Sequence, residues 1–406
     1  MDKKKAQKPK KWRRRRHAVL TAMARVVMYP FVRFGYGCKI TPFRAQGNRP
    51  YLILYNHQTP FDQFFIAYIF KGATYYVATE DIFSAGFVST LLRYSVAPIP
   101  IKKATLDVRA VIDCMKVAKE GGTIAIAPEG NRTYSGKTCY IKPGIVALAK
   151  KLAMPIAFVR IEDGFGVCPR FSDVKRKGGM RAFVSKILEP EAYVSMENED
   201  LYQLICRELS TNESESGGRF RHKKRAEYME RLFYFCPTCG MARLESAGSR
   251  ITCLSCGTTA IYGEDKTFSG VGKPFAFSTV ADWYDAQETF VRAMPLDAYL
   301  DKPAATDTAN FFRVIPYKKK VLLNKDATLT LFSDRIEVDT DTEKTVFAFS
   351  QIKGAAVLGR NKLGIYSDND MVQFKGGKRF NALKYVNFYY HFSAKEGNQH
   401  DEFLGL

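Results

Sequence analysis

The chain has 406 residues, 46% of them hydrophobic, enough for a packed core and for two or three domains, and this excludes a mainly disordered protein. Its formal net charge of +21 calls for an anionic partner: a nucleic acid, a phospholipid surface or a phosphorylated substrate. Nine cysteines, four of them in two C-x-x-C pairs, do not make a secreted disulfide framework and suit a reducing compartment.

The first sixteen residues, MDKKKAQKPKKWRRRR, hold ten Lys or Arg against one Asp. HAVLTAMARVVMYPFV follows, about fourteen mostly apolar residues around Arg25, short against the ~20 that a spanning helix needs. Leu20, Met23, Val26 and Val27 recur at helical spacing. Residues 1–34 therefore read as a basic arm and an amphipathic helix lying in a membrane interface, attracted by anionic headgroups. A disordered tail followed by an ordinary core helix is the alternative.

Residues 35–225 read as one α/β domain. YLILY is a buried strand, and the Asn-His-Gln-Thr-Pro-Phe-Asp interruption after it argues against a membrane span over 51–70. TYYVATE, VAPIPI, TIAIA and IAFVRI read as further strands. TLDVRAVIDCMKVAKEGG and PGIVALAKKLAMP read as helices, the first closed by Gly121 and Gly122. Alternating strands and helices predict a layered fold. NESESGGRFRHKKR, over 212–225, marks a boundary.

Two loops in this domain carry chemistry. His57 follows the first buried strand and Asp62 opens a helix. A histidine titrates near neutrality, and a carboxylate on its other ring nitrogen would fix its tautomer, making a base that activates a hydroxyl. APEGNRTYSGK, residues 127–137, follows TIAIA; Gly130 permits close backbone approach and Arg132 presents a planar fork suited to phosphate. By themselves, two polar residues in a core and a turn with a surface arginine would explain both.

Together these blocks resemble the glycerolipid acyltransferases, the PlsC-like lysophosphatidic acid acyltransferase group. NHQTPFD matches its NHxxxxD block, and PEGNRTYSG its P-E-G-T-R-S block about seventy residues on. VAPIPIKK stands at the intervening block and IKPGIVALAKKLAMPIAFV at the fourth; the resemblance covers roughly residues 35–205. It implies a glycerolipid-acyltransferase-like mixed sheet flanked by helices. It also implies transfer of a fatty acyl group from acyl-CoA or acyl carrier protein to a lysophospholipid hydroxyl, with 1-acyl-glycerol-3-phosphate favoured. His57 would be the general base and Asp62 its partner. Glu129, Gly130 and Arg132 would bind the acceptor, with Lys102 and Lys103 standing where the family carries an arginine. The chain has no G-x-S-x-G elbow, so direct attack by the acceptor is more economical than an acyl-enzyme. Cys139 carries no mark of a nucleophile.

Cys236, Cys239, Cys253 and Cys256, in a C-x2-C-x13-C-x2-C array over residues 231–264, resemble a zinc ribbon with a structural zinc. A rubredoxin-like iron site or a redox dithiol are the rivals. Residues 275–310 contain a connecting helix. Residues 318–396 alternate with period two, in short strands closed by the helix FNALKYVNFYYHF, and the order of elements resembles a PH/GRAM-like domain. Lys375, Lys378 and Arg379, beside a Gly-Gly turn, could read headgroups there. The reading is a peripheral or monotopic enzyme of phospholipid biosynthesis at the cytoplasmic face of the cell membrane. The rival is a non-catalytic lipid- or nucleic-acid-binding protein. A nucleic-acid partner is disfavoured because the charge is concentrated in the arm and no nucleic-acid-binding signature is visible.

Overall fold

The computed structural model describes residues 11–83, 87–101, 108–315, 320–368, 370–398 and 403–405. Lys102 and Lys103, and the first ten residues of the basic arm, lie outside them.

The first half is a seven-stranded mixed sheet. In chain order its strands are β1 (Cys38–Ile40), β2 (Leu52–Tyr55), β3 (Thr74–Thr79), β4 (Ile99–Ile101), β5 (Thr123–Ile126), β6 (Ile156–Glu162) and β7 (Met180–Leu188). They lie in the order β1-β7-β6-β2-β5-β3-β4, parallel except for the antiparallel β6–β7 pair. β2 and β5 are buried on both faces, which is why they are unbroken apolar runs. Alternate residues serve opposite layers. Leu52, Leu54, Ile124 and Phe158 meet the helices Val108–Lys119, Gly144–Leu152 and Asn198–Leu209. Ile53, Tyr55, Ala125 and Val159 meet the helix Asp62–Ile69 and the chain around Val32–Cys38.

The N-terminal helix, α1 (Arg15–Pro30), continues into a wider π-helical turn, Phe31–Gly35. Pro30 is accommodated at that junction rather than ending the helix, as happens where a missing N–H is absorbed by a local widening. The resulting 21 residues are long and apolar enough, by length and composition, to cross a membrane, more than the fourteen apolar residues counted from the sequence. One face is fixed to the domain. His17 is buried against the Tyr75 hydroxyl, Trp12 Nε1 donates to Ala97 O at 3.0 Å, and Arg25 donates to the carbonyls of Phe70 and Gly72. Val19, Met23, Val26, Val27 and Phe34 are exposed on the rest of it.

The cysteine array sits among six short strands: β8 (Phe235–Cys236), β9 (Gly240–Met241), β10 (Leu244–Ala247), β11 (Arg250–Cys253), β12 (Thr259–Tyr262) and β13 (Phe268–Gly270). A helix follows, Val280–Ala293, started by a Thr279–Asp282 capping box. The cysteine module shares a core with the segments that follow it. Cys236, Ile251, Cys253, Tyr262 and Phe268 join one buried cluster with Trp283 and the C-terminal sheet, and Trp283 stacks on Phe233 with centroids 3.9 Å apart. The segment 212–225, read as a boundary, is packed on the first domain: Phe220 is 1% exposed and Lys177 and Arg221 form a bridge.

The C-terminal half-barrel is antiparallel throughout, in the order β17-β16-β15-β14-β20-β19-β18. Its strands are β14 (Ala305–Arg313), β15 (Val321–Leu331), β16 (Arg335–Asp339), β17 (Lys344–Ala348), β18 (Gly354–Leu358), β19 (Lys362–Tyr366) and β20 (Met371–Gly376), and the helix Leu383–Lys395 packs on β18. The first strand precedes residue 318, where the periodicity places the start, because its alternation is polar and exposed at its beginning. Asn324-Lys325-Asp326, which signals a turn, lies inside β15 where the pairing with β14 shifts register.

Candidate active site

β2 and β5 are parallel neighbours, with Leu54 opposite Ile126, so the loops leaving their carboxyl ends emerge side by side. That topology brings residues 57 and 129–132 together across seventy residues of chain, and Thr133 N donates to His57 O at 3.0 Å. Asn56, fully buried, locks the end of β2 to β6 by two bonds with Ile161, both 2.8 Å.

His57 Nδ1 lies 2.8 Å from Asp62 Oδ2. Asp62 is fully buried, and its oxygens also accept from Gln58 N, Thr59 N and Thr59 Oγ1 at 2.7–3.1 Å. Against an oxygen that already accepts from these donors, Nδ1 is the nitrogen that donates, and Nε2 carries the free lone pair. Nε2 makes no hydrogen bond among the described residues, and the side chain keeps 25% of its surface exposed. Burial lowers the His57 pKa below its ordinary value; the bond to Asp62 opposes this, and the charges of Arg132 and Arg170 add to the lowering. A neutral imidazole with one nitrogen anchored and the other open can accept a proton.

Glu129, for which the resemblance implies a role in binding the acceptor, joins the two loops. Its Oε1 accepts from His57 N and its Oε2 from Cys139 N, both at 2.8 Å, and it is 6% exposed. Burial pushes its pKa up to about 8, against the pull of those two backbone donors. Cys139 is itself raised well above the thiol range by burial, an unreactive environment.

Gly130 has φ +65, in the left-handed region, and a Cβ there would meet nothing within 4 Å, so the conformation rather than the space calls for glycine. Arg132 follows on the same loop, and its buried Nη1 has no hydrogen-bond partner among the described residues. Burial and the neighbouring Arg170 bring its pKa down to about 10, leaving it cationic at neutral pH. It lines a cavity of about 460 Å³ with Pro60 and Phe61, from the His57–Asp62 loop, and with Asp173, Arg231, Gly359, Arg360, Asn361 and Lys378. Of these cations the sequence reading reaches Arg132, and Lys378 as a separate headgroup reader. Arg231 and Arg360 are single arginines with no local spacing signal. Arg379 is occupied elsewhere, paired with Glu230 and donating to Ser246 O at 2.9 Å.

The sulfurs of Cys236, Cys239, Cys253 and Cys256 all lie within 4.8 Å of one another, with 236–256 at 3.6 Å and 239–253 at 3.5 Å, and could hold a metal ion. Tetrahedral thiolates about 2.3 Å from an ion stand roughly 3.8 Å apart, so the set suits one. Gly240 and Gly257, at φ +75 and +74, turn the chain after each pair, and Thr238 N donates to Cys236 Sγ.

The acyltransferase family model matches residues 39–162. The chain is 23% identical over 177 residues to the chloroplastic 1-acyl-sn-glycerol-3-phosphate acyltransferase BAT2 of Brassica napus, covering 42% of this chain and 49% of that one. It is 22% identical over 176 residues to the chloroplastic 1-acyl-sn-glycerol-3-phosphate acyltransferase LPAT1 of Arabidopsis thaliana, covering 42% and 48%. The chain thus spans about half the length of these curated relatives. The crystal structure of the 1-acyl-sn-glycerophosphate (LPA) acyltransferase PlsC from Thermotoga maritima is similar at 19% identity and a TM-score of 0.38, over 47% of this chain and 76% of that one.

Proposed function

Residues 39–162 form an acyltransferase-family domain, and from that premise we propose that the protein moves a fatty acyl group from a thioester, acyl-CoA or acyl carrier protein, to the hydroxyl of a lysophospholipid, with 1-acyl-glycerol-3-phosphate the favoured acceptor. The observation that carries the reading is the His57–Asp62 pair: Nδ1 held at 2.8 Å by a buried carboxylate, and Nε2 without a partner among the described residues. The acceptor is supported by the activity for which the two plant relatives are named and by the cationic cavity at Arg132.

In the proposed reaction His57 Nε2 takes the proton of the acceptor hydroxyl as its oxygen attacks the thioester carbonyl. The C–O bond forms and the C–S bond breaks as the tetrahedral intermediate collapses. The imidazolium, stabilised by Asp62, returns its proton to the departing thiolate, so the base is regenerated and no acyl-enzyme is needed. Arg132 would hold the acceptor's phosphate. The four cysteines would hold a zinc with no open position, a structural ion. The exposed apolar face of the N-terminal helix and the basic arm before it would rest on an anionic phospholipid surface, placing the enzyme peripherally or monotopically at the cytoplasmic face.

The test is transfer from a radiolabelled acyl-thioester to a panel of lysophospholipids, wild type beside His57→Ala. Label entering an acceptor only when His57 is present supports the reading; equal transfer by the variant removes His57 as the base.

A further inference from the structure

The headgroup cavity is not built by the acyltransferase domain alone. Pro60, Phe61, Arg132 and Asp173 come from that domain, whereas Gly359, Arg360 and Asn361 form the β18–β19 turn of the C-terminal half-barrel and Lys378 follows β20. We propose that Arg360 and Lys378 complete the acceptor site across the domain junction and select a phosphomonoester headgroup over a zwitterionic one. This rests on the acyl-transfer reading for what the acceptor is, and on the cavity alone for the charge it must carry.

Among the described residues four cations line the cavity, Arg132, Arg231, Arg360 and Lys378, against one carboxylate, Asp173. That carboxylate is already shared. Arg231 holds it with two bonds, at 2.7 and 3.1 Å, and Arg360 Nη1 stands 3.5 Å away. Among the described residues the lining therefore keeps an excess of three positive charges. Two of the guanidiniums also bury nitrogens that have no hydrogen-bond partner among the described residues, Arg132 Nη1 and Arg360 Nε. Buried unpaired donors on cations are costly, and an anionic ligand with several acceptor oxygens satisfies them. A phosphomonoester brings about −1.5 to −2 charges and three terminal oxygens. A choline or ethanolamine headgroup brings its own cation into the same field.

The contributing segments are held in place rather than loosely apposed. Arg170, 3% exposed, donates to Val357 O at 2.9 Å and Gly359 O at 3.1 Å on the turn, and to Asn131 Oδ1 and Arg132 O on the catalytic-domain loop. Asn361 Nδ2 donates to Gly376 O and Gly377 O, and Arg231 Nε to Lys378 O, which fix Lys378 to the same rim.

The experiment uses the full chain with soluble short-chain lysophosphatidic acid and lysophosphatidylcholine. Affinity is read by titration calorimetry and acceptor KM and kcat by acyl transfer, for wild type, Arg360→Ala, Lys378→Ala and Arg360→Lys. The expected result is a loss of roughly tenfold or more in lysophosphatidic acid affinity for each alanine variant. Acceptor KM should rise more than kcat falls, lysophosphatidylcholine should be unaffected, and Arg360→Lys should recover most of the loss. Unchanged affinity and KM in both alanine variants overturn the proposal, as does an equal loss for the two headgroups, which would report damaged packing. So does wild type failing to prefer lysophosphatidic acid. Selective binding lost in the variants without transfer in any protein would leave this inference standing and sink the acyl-transfer reading; transfer with an indifferent acceptor KM would do the reverse.

Discussion

The buried guanidinium of Arg170 donates to the carbonyl of Arg132 at 3.1 Å and, from its Nε, to the carbonyl of Gly359 at the same distance. One side chain therefore sets both the loop that carries Arg132 and the turn that carries Arg360. Replacing it by Met would leave the carbonyls of Arg132, Val357 and Gly359 and the Asn131 amide oxygen without this donor. We expect Arg170→Met to lose about 2–4 kcal/mol of stability and to raise acceptor KM while the thioester KM stays near wild type. Chemical denaturation together with steady-state kinetics checks this; a stable variant with unchanged acceptor KM would show that the two segments are set independently.

The acid limb of the pH profile follows from His57. Its pKa is lowered by burial, and the base acts only when neutral. Activity is then complete at neutral pH and falls as the pH drops through a value below the ordinary ~6.5. The kcat/KM profile should show its acid midpoint under that value; a midpoint above 7 would contradict the assignment. Asp62→Asn removes the carboxylate that pulls the pKa upward and sets the tautomer, so it should cost about 10²–10⁴ in kcat and move any residual limb lower.

The central strands and both loops are legible in the sequence because they depend on local pattern. Buried parallel strands appear as LILY and TIAI, and NHQTPFD and PEGNR keep their chemistry within a few residues. The cysteine array is legible for the same reason. The cavity is not. Arg231, Arg360 and Lys378 come from three distant segments, and only the packing of the half-barrel on the first domain relates them to Arg132. Nor is the place of Glu129: PEGNR suggests an acceptor ligand, while in the fold its oxygens accept from His57 N and Cys139 N and tie the two loops.

That arrangement of Glu129 makes Glu129→Gln informative. The amide keeps one acceptor and turns an N–H donor group toward the other backbone N–H, a loss of about 1–3 kcal/mol. The raised pKa of about 8 gives the sign of the pH effect. A carboxyl whose folded pKa is above its unfolded value contributes stability that is full below the unfolded value, ~4.3, and is lost as pH rises through about 8. Gln does not titrate, so the stability gap between wild type and variant should narrow from pH 5 to pH 8. Because the residue grips the His57 backbone, kcat should fall more than acceptor KM rises. A gap that widens with pH, or a loss confined to KM, would return Glu129 to the acceptor.

Metal removal should reach beyond the ribbon. Cys236 and Cys253 belong to the same buried cluster as Trp283 and the C-terminal sheet, and Trp283 Nε1 donates to Phe235 O at 2.9 Å, one residue before the first cysteine. From the segment leading into the ribbon, Glu230 pairs with Arg379 and its carbonyl accepts from Asn381 Nδ2 at 2.9 Å, while the adjacent Arg231 lines the cavity. Four thiols left without an ion lose the cross-link that fixes both knuckles. Treatment with a chelator, with elemental analysis showing the metal gone, should lower the melting temperature by on the order of 10 °C. It should also shift tryptophan fluorescence, to which Trp283 and Trp12 are the only contributors, and raise acceptor KM through the displaced Arg231 and Lys378. A metal-free protein with the same melting temperature, spectrum and KM would mean that the aromatic cluster around Trp283 holds this region without the ion.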